Sequence, residues 1–272
     1  MNLKENAYDI IILAGQSNAE GYGRGEVTEE YVPDNDIISI TPSYTSTDEV
    51  KNGVTVLHVV YNDEPWKISV ADVRIAKGQI MNNLSLTFSE EYKKNGYLKE
   101  ERKLLIINAA IGATGFENNY WGLGKMLYNK MTEMVDYALS LNSENRIVAF
   151  LWHQGEHDAG HRHSPAVYKA QFKEMLDAFK ERYGIHEMPI VAGDFVNEWK
   201  SANIEKCAPI IDAMKSLIEG ENGMFVETAD LMSNNQKNGD GDTIHFCRES
   251  LHILGRRYFS AFKKIIERQK SV

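Results

Sequence analysis

Short apolar runs alternate with amphipathic stretches along most of the chain, a pattern typical of a parallel sheet covered by helices on both faces. The first run, at 10–14, is bounded by Gly15 and predicts a short, buried strand. Further strands are predicted at 37–40, 55–61, 104–110, 147–152, 189–195 and 224–229. Helices are predicted at 70–92, 123–141, from 165 onward, 204–218 and 249–266. The alternation indicates one doubly wound α/β domain over residues 1–272, with no internal repeat or linker.

The helix predicted after Ser164 has the clearest start signal. Ser164 is a preferred capping residue, and Pro165 suits the first helical position, where its missing N–H has no helical partner in any case. The buried face of this helix is predicted to carry Val167, Phe172, Met175, Leu176 and Phe179. A turn at 52–53 is predicted between strands 37–40 and 55–61. For these two strands the pattern does not predict a place in the main sheet.

Polar and small residues follow several predicted strands at their carboxyl ends, where open α/β sheets place their active sites. Ser17, segment 110–115 and segment 152–156 each follow such a strand. A fourth segment, 242–245, lies between the last strand and the last helix. We therefore expect these four pieces of the chain to meet at one edge of the sheet.

The chemistry of these segments points to a nucleophile. Ser17 on its own fits a strand-end turn as well as it fits a nucleophile. His245 favours the nucleophile because an imidazole can take the serine proton near neutral pH, and Asp242, one turn earlier, can fix the tautomer of that imidazole. A tetrahedral oxyanion needs donors, and the backbone N–H groups of Ser17 and Gly112 and the Gln154 amide can supply them. No step needs a metal or an organic cofactor, so neither is predicted.

Four short motifs of the chain occur in the order of the blocks of a known superfamily: Gly15-Gln16-Ser17-Asn18, the Gly112 turn, Trp152-His153-Gln154-Gly155-Glu156 and Asp242-Thr243-Ile244-His245. Through these motifs the chain resembles the SGNH hydrolases, and because they span residues 15–245 the resemblance covers nearly the whole chain. Within that superfamily it is most similar to the sialate O-acetylesterase-like domain, which includes acetylxylan-esterase relatives. The resemblance implies a three-layer α/β/α, flavodoxin-like fold and the removal of acetyl groups from carbohydrates. It casts Ser17 as nucleophile, His245 as base, Asp242 as its orienting acid, and Gly112 and Gln154 as oxyanion donors. Gln154 departs from the asparagine usual in the wider superfamily, as the acetylesterase branch does.

Residues beside these motifs are candidate substrate contacts, and each has a structural alternative. Gln16 and Asn18 either contact the sugar or tie down the turn that carries the nucleophile. Trp121, with its neighbour Tyr120, either forms a sugar platform or packs in the core. Glu156 either contacts substrate or is a buried acid bonded to neighbouring backbone, and the buried acid is the favoured interpretation.

Half of the eight histidines fall within residues 153–163: His153, His157, His161 and His163. The acids between them would suit a metal. Against a metal, the order is not the His-Glu-x-x-His of a zinc helix, and Gly155 and Gly160 are expected to interrupt helical spacing. No metal is therefore predicted, and one or two of these histidines are expected at the pocket rim with the others in solvent.

Charge and cysteine usage limit the partners and the compartment. The net charge of −9 argues against nucleic-acid and anionic-membrane partners, which favour a basic face. No apolar signal segment follows the first charged residues, so a cytoplasmic location is expected, although a processed secreted chain would look the same. Cys207 and Cys247 fit a reducing compartment, with one bridge between them left open. Cys247 is interpreted as a small apolar residue at the start of the last helix.

Three functions fit these motifs, and the leading one is a serine esterase that removes acetyl groups from sugars, of the sialate O-acetylesterase or acetylxylan-esterase type. The second is a general short-chain carboxylesterase of the same superfamily, since no broad apolar lid segment is present for long acyl chains. The third is a non-catalytic carbohydrate-binding protein that keeps the fold. A nucleophile paired with a base argues against the third, which the fold alone could not exclude. The substrate sugar and the oligomeric state are not predicted.

Overall fold

The computed structural model describes residues 3–51, 54–76 and 78–271, and its centre is a seven-stranded sheet. In chain order the strands are β1 (Ala7–Gly15), β2 (Ile37–Lys51), β3 (Val54–Val70), β4 (Arg74–Ala76), β5 (Gln79–Met81), β6 (Arg102–Asn108), β7 (Arg146–His153), β8 (Ile190–Gly193) and β9 (Met224–Val226). The large sheet has the order β3-β2-β6-β1-β7-β8-β9, and β4 pairs with β5 in a small second sheet.

Helices cover both faces of this sheet. In chain order they are α1 (Ser17–Glu20), α2 (Leu84–Lys94), α3 (Met126–Ser140), α4 (Glu156–Gly160), α5 (Pro165–Tyr183), α6 (Asn197–Ala202), α7 (Ile204–Gly220), α8 (Asn234–Asn238) and α9 (Arg248–Lys270), preceded by a short 3-10 turn, Leu3–Glu5. One apolar core joins the sheet to α3, α5 and α7, and a second joins its other face to α2 and α9. This is the three-layer α/β/α arrangement that the sequence predicts.

The sheet topology confirms the flavodoxin-like expectation. All neighbouring strands of the large sheet are parallel except β2 and β3, which form an antiparallel hairpin. Without that hairpin, the remaining strands β6-β1-β7-β8-β9 follow the order 2-1-3-4-5, which is the flavodoxin-like order. The switch in strand order lies beside β1, where such sheets form their binding crevice.

β1 is buried along its whole length because it lies between β6 and β7 with helices on both faces. A parallel strand in this position needs apolar residues on both sides, which is why its sequence is a continuous apolar run. The exception is Asp9, at the amino end of the strand. Its carboxylate lies 2.7 Å from both Arg102 Nε and Arg146 Nε and accepts a hydrogen bond from the Tyr92 hydroxyl at 2.8 Å. This ion-paired acid is at the opposite end of β1 from Ser17.

Three predicted elements need correction. The strands predicted at 37–40 and 55–61 are parts of a much longer hairpin, β2 and β3, which joins the main sheet through β6; the predicted turn at 52–53 lies outside the described residues. The helix predicted at 70–92 is wrong over its first half, where the chain forms β4 and β5. The helix itself, α2, begins only at Leu84, because the Asn83 side chain accepts the Ser85 N–H and caps the first turn.

The helix after Ser164 is confirmed as α5, with one error in its predicted buried face. Val167 is 45% exposed, whereas the other four predicted residues and Tyr168 are fully buried. The buried set begins at Tyr168 because helical spacing places residue 167 about 100° away from that face. In the described part of the chain, no helix is long and apolar enough for a membrane crossing.

Candidate active site

Ser17 lies at the carboxyl edge of the sheet, where β1 turns sharply into α1. The turn depends on Gly15, whose φ is +142° and where an added Cβ would come within 2.1 Å of the His153 carbonyl oxygen. The Gln16 N–H donates to that same carbonyl at 3.0 Å, which fixes the turn to the end of β7. Ser17 then begins α1, and its backbone N–H has no acceptor among the described residues.

The structure brings Ser17, His245 and Asp242 together in one hydrogen-bonded line. Ser17 Oγ lies 2.9 Å from His245 Nε2. On the other side of the ring, Nδ1 lies 2.9 Å and 3.0 Å from the two carboxylate oxygens of Asp242. With Nδ1 donating to the carboxylate, Nε2 is left to accept the serine proton.

Helix α8 holds the turn that carries Asp242 and His245. The backbone N–H groups of Asn234 and Asn235 donate to the carbonyls of His245 and Asp242 at 2.8 Å and 2.9 Å. The Asn234 side chain also donates to Asp242 Oδ2 at 3.0 Å. A capping box, Ser233 with Gln236, starts α8. Sequence reasoning missed this helix, although Ser233 and Gln236 have the spacing of the capping box.

Arg24 is a second residue that the sequence analysis missed. Its guanidinium nitrogen Nη2 lies 2.6 Å from Asp242 Oδ2 and 3.0 Å from Asp240 Oδ2, so one cation joins both acids of this turn. Burial raises the pKa of Asp242, but His245 and the other hydrogen-bond donors around it outweigh burial and lower the pKa to about 2. Asp242 is therefore ionised beside the imidazole at neutral pH.

Tyr22 was also missed, and it covers one face of the histidine. Its ring stacks on the His245 ring, with the centroids 5.2 Å apart and the planes 20° from parallel. The Arg74 guanidinium lies 5.0 Å above the ring of Tyr22 and is held by Glu20 at 2.7 Å. The stack limits the orientations of the His245 ring and lines the approach to Ser17 with a partly exposed aromatic side chain.

Gln16 and Asn18 are buried, and their side chains join neighbouring segments through hydrogen bonds. Gln16 Oε1 accepts the His157 N–H at 3.1 Å and the Gly155 N–H at 3.4 Å. Asn18 Oδ1 accepts the Phe246 N–H at 3.0 Å, and its amide donates to the Ile244 carbonyl at 3.1 Å. These bonds match the alternative in which the two side chains tie down the turn, and Asn18 links the serine turn directly to the histidine segment.

Glu156 is a buried acid, as the favoured interpretation expects, but its partners are side chains. Its Oε1 accepts the Asn18 amide at 2.7 Å and lies 3.6 Å from Nε2 of His153, which is also fully buried. Burial raises the pKa of Glu156, and the neighbouring His153 and Asn18 outweigh that effect, so the pKa is lowered. Nδ1 of His153 is 3.0 Å from the Tyr258 hydroxyl. The expectation that the histidines lie at the rim or in solvent is wrong for His153.

Trp121 packs in the core, so the sugar-platform alternative does not apply to it. Its ring is fully buried, with an edge-to-face contact to Trp152 at 5.0 Å between centroids. Its indole N–H lies 3.2 Å from the carbonyl of Gly15, which adds a contact beneath the serine turn. The hydroxyl of Tyr120 donates to the Leu57 carbonyl at 2.7 Å and ties this loop to the β2–β3 hairpin.

Gly112 lies beside Ser17, with its N–H bonded to an acid. A Cβ at Gly112 would be 3.5 Å from the Ser17 Cβ, so the two residues are in contact distance. The Gly112 N–H donates to Glu20 Oε2 at 2.7 Å. Glu20 also accepts the hydroxyl of Tyr44 at 3.0 Å, which makes it the centre of a polar cluster beside the serine.

The Gln154 amide is fully buried and donates within the protein. Its Nε2 contacts Gln16 Oε1 at 3.2 Å, the Thr114 carbonyl at 3.3 Å and Oδ2 of Asp158. Burial raises the pKa of Asp158, and the Gln154 amide is its main side-chain donor. Gln154 therefore contacts Gln16, the residue that precedes Ser17, and does not itself contact the serine.

The other three clustered histidines lie on or beside α4. His157 and His161 stack with their centroids 4.1 Å apart, and His163 bonds to Gln171 at 3.0 Å. Burial and the neighbouring His161 lower the pKa of His157. Gly155 and Gly160 bound α4 as expected, since the helix begins after Gly155 and ends at Gly160, but the His161 N–H still donates to the His157 carbonyl at 3.0 Å and keeps the two histidines one turn apart.

Cys207 and Cys247 are both buried and both free, so no bridge joins them. Burial raises the pKa of Cys207 to about 12, which makes its thiol unreactive at neutral pH. Cys247 occupies the cap position of α9 as a fully buried residue, which confirms its structural interpretation.

A flavodoxin-like sheet with serine, histidine and aspartate hydrogen-bonded at its carboxyl edge is the arrangement of the SGNH hydrolases. The comparison with protein families agrees, because the family model described as "carbohydrate esterase, sialic acid-specific acetylesterase" matches residues 7–264. The chain belongs to this family and is a carbohydrate O-acetylesterase, a carboxylic ester hydrolase.

Solved structures with the same fold include three that cover nearly the whole chain. NanS matches with a TM-score of 0.72 and 17% identity, over 97% of this chain and 99% of its own. A protein from Arabidopsis thaliana matches with a TM-score of 0.68 and 16% identity, over 94% and 98%. A carbohydrate acetylesterase from Xanthomonas citri matches with a TM-score of 0.66 and 15% identity, over 94% and 56%. No curated protein matches the sequence.

Proposed function

We propose that this protein removes O-acetyl groups from acetylated sugars through Ser17, His245 and Asp242. The observation that carries the proposal is the continuous line from Ser17 Oγ to His245 Nε2 and from His245 Nδ1 to Asp242. Ser17 is 228 positions from His245 in the chain, so its contact with the Asp242–His245 turn is a property of the fold. A non-catalytic sugar-binding protein would have no need of this arrangement.

The first step is acetyl transfer to the serine. Ser17 Oγ attacks the acetyl carbonyl carbon while His245 Nε2 takes the hydroxyl proton, and the ionised Asp242 stabilises the imidazolium that forms. The tetrahedral intermediate then breaks its bond to the sugar oxygen, and His245 gives the proton to that oxygen as the sugar leaves. Ser17 is left as an acetyl ester.

The second step returns the enzyme to its starting state. A water molecule attacks the acetyl carbonyl while His245 Nε2 takes one of its protons. The bond from the acyl carbon to Ser17 Oγ breaks, the proton passes back to Oγ, and acetate leaves. Proton transfer in both steps requires Nε2 to face Ser17, which is the orientation that Asp242 and the stacked Tyr22 support.

The oxyanion of both steps needs donors on the side of Ser17. We propose the backbone N–H of Ser17 as the first, since it has no acceptor among the described residues. Gly112 lies next to it as the second candidate, but its N–H donates to Glu20 Oε2 at 2.7 Å and would have to exchange that acceptor for the oxyanion. The Gln154 amide is the third candidate and would have to exchange one of its internal acceptors for the oxyanion.

Replacing Gln154 with alanine tests its share in this donor set. If the amide donates in the transition state, turnover should fall by roughly 10²–10³ with KM little changed. Steady-state kinetics of acetate release on the purified variant would measure both constants. An effect confined to KM would mean that Gln154 contacts only the ground-state substrate.

The matched variant Asp158→Asn separates catalysis from support of the loop. Asp158 accepts the Gln154 amide, so a purely structural role of that bond predicts similar kinetic losses in both variants. A catalytic role predicts that Gln154→Ala loses much more turnover than Asp158→Asn. Thermal unfolding of both proteins shows whether either change acts through stability.

A substrate screen tests the proposed function as a whole. Candidate substrates are O-acetylated sialic acid, acetylated xylose oligomers and aryl acetates, with matched butyrate and octanoate aryl esters for the acyl group. We expect acetyl esters to be preferred, because the family whose model matches the chain is one of acetylesterases. Acetate release from the sugars above that from the aryl ester would support the proposal. Faster hydrolysis of the longer aryl esters would favour a general short-chain carboxylesterase.

A further inference from the structure

His157 of α4, His161 directly after this helix and Glu117 from the loop opposite form a cluster that does not include Ser17, His245 or Asp242. A ligand atom of each of Glu117, His157 and His161 lies within 4.8 Å of the others. His157 Nε2 is 3.2 Å from Glu117 Oε2, and His161 follows His157 by one helical turn. We propose that this cluster binds one divalent transition-metal ion, with Zn²⁺ as its preferred occupant, and that the ion stabilises the protein without taking part in ester hydrolysis.

The donor atoms suit zinc chemistry. Two imidazoles and one carboxylate are a common set of zinc ligands, and they leave a fourth position for water. Nδ1 of His161 lies 2.9 Å from the backbone carbonyl oxygen of His157 and donates to it. This bond fixes the tautomer and leaves Nε2 of His161 with a free lone pair, as in histidines that bind metals.

The backbone that carries the three ligands is already held in place. The Asp158 carboxylate accepts the backbone N–H groups of Glu117 at 2.9 Å and Phe116 at 3.3 Å, so the loop is tied to α4. The His157 N–H donates to Gln16 Oε1 at 3.1 Å. Ligand atoms of a tetrahedral zinc site are roughly 3.3 Å apart. The exposed side chains of Glu117 and His161 can rotate to close the remaining gap.

Zinc titration of the full-length, untagged protein tests the site. Isothermal titration calorimetry after chelator treatment should show one Zn²⁺ per chain, with Ca²⁺ and Mg²⁺ binding far more weakly because they prefer oxygen ligands. The variants His161→Ala and Glu117→Gln should each weaken zinc binding by at least ~10-fold, since even residues that only support a ligand cost that much. The control His186→Ala changes an exposed histidine outside the cluster and should bind zinc like the parent.

Thermal unfolding gives an independent readout. Zinc should raise the Tm of the parent and of His186→Ala by roughly 5 °C at about 100 times its Kd, and should raise the Tm of His161→Ala by no more than about half as much. His161 and Glu117 are exposed, so circular dichroism should show both variants folded. Absence of zinc binding to the parent would overturn the proposal. Equal zinc affinity in the parent and in His161→Ala would overturn it as well.

Chelation is expected to leave esterase activity intact, because no step of the proposed mechanism uses a metal. The measurement is acetate release before and after exhaustive treatment with a chelator, followed by readdition of zinc. The untreated enzyme carried through the same buffer exchange is the control. Loss of activity with recovery on zinc would show that the ion takes part in catalysis, which contradicts the proposed non-catalytic role of the ion. The calorimetric test of the zinc site does not depend on the esterase mechanism.

Discussion

Ser17→Ala is expected to give a folded protein whose esterase turnover is lower by up to ~10⁶. The change removes the oxygen that lies 2.9 Å from His245 Nε2 and would form the acetyl ester. It removes one hydrogen bond and no apolar contact, so the fold should persist. The measurement is acetate release from an acetylated sugar by purified protein, together with its thermal unfolding.

A matched serine provides the control. Ser89 in α2 is as buried as Ser17, but its hydroxyl has no partner among the described residues and lies outside the catalytic segments. Ser89→Ala should therefore keep full activity. Near-normal activity in a pure and folded Ser17→Ala protein would rule out the serine mechanism. Similar losses in both variants would mean that the assay reports damage to the fold.

The parts of the fold that the sequence predicts best are those whose pattern is set by burial on both faces. β1 and β6 each read as a continuous apolar run because their side chains contact helices above and below the sheet. The β2–β3 hairpin was underestimated for the opposite reason. Its outer part, including residues 45–50, is largely exposed, so no apolar run marks those residues as a strand. The false start of helix 70–92 follows from the same lack of a burial pattern.

Of the residues in the site, the sequence predicts those that short motifs mark and misses those that come into contact only when distant segments pack together. Asp242 and His245 are three residues apart, so one motif predicts their contact, and the strand-end position of Ser17 supplies the third member. Arg24 could not be predicted, because its contact with Asp242 joins residues 218 positions apart and depends on how α8 packs. Tyr22 lies in a loop whose glycines gave no sign that its ring would stack on the histidine.

Asp242→Asn is expected to lower turnover by up to ~10⁴, whereas Asp240→Asn should be almost silent. Asp242 contacts His245 Nδ1 at 2.9 Å, and an asparagine there can present its N–H₂ to the ring. That contact favours the tautomer with the proton on Nε2, which then cannot accept the Ser17 proton. Both variants are compared with the parent by kinetics at one pH and by thermal unfolding.

Asp240 tests the assignment because it shares a partner with Asp242 and does not contact the histidine. Its carboxylate reaches Arg24 at 3.0 Å and accepts the Asp242 N–H at 3.0 Å. A partly exposed ion pair of this kind contributes about 0–1 kcal/mol, so losing it should change turnover by no more than ~5-fold. The variant Arg24→Gln removes the cation from both acids and leaves the Asp242–His245 contact, so it separates the loss of the ion pair from the loss of the correct tautomer. If Asp240→Asn is the variant with the large loss of turnover, Asp242 is not the acid that orients His245. If Arg24→Gln loses as much as Asp242→Asn, the tautomer explanation fails, and the charge balance around the pair of acids controls the rate.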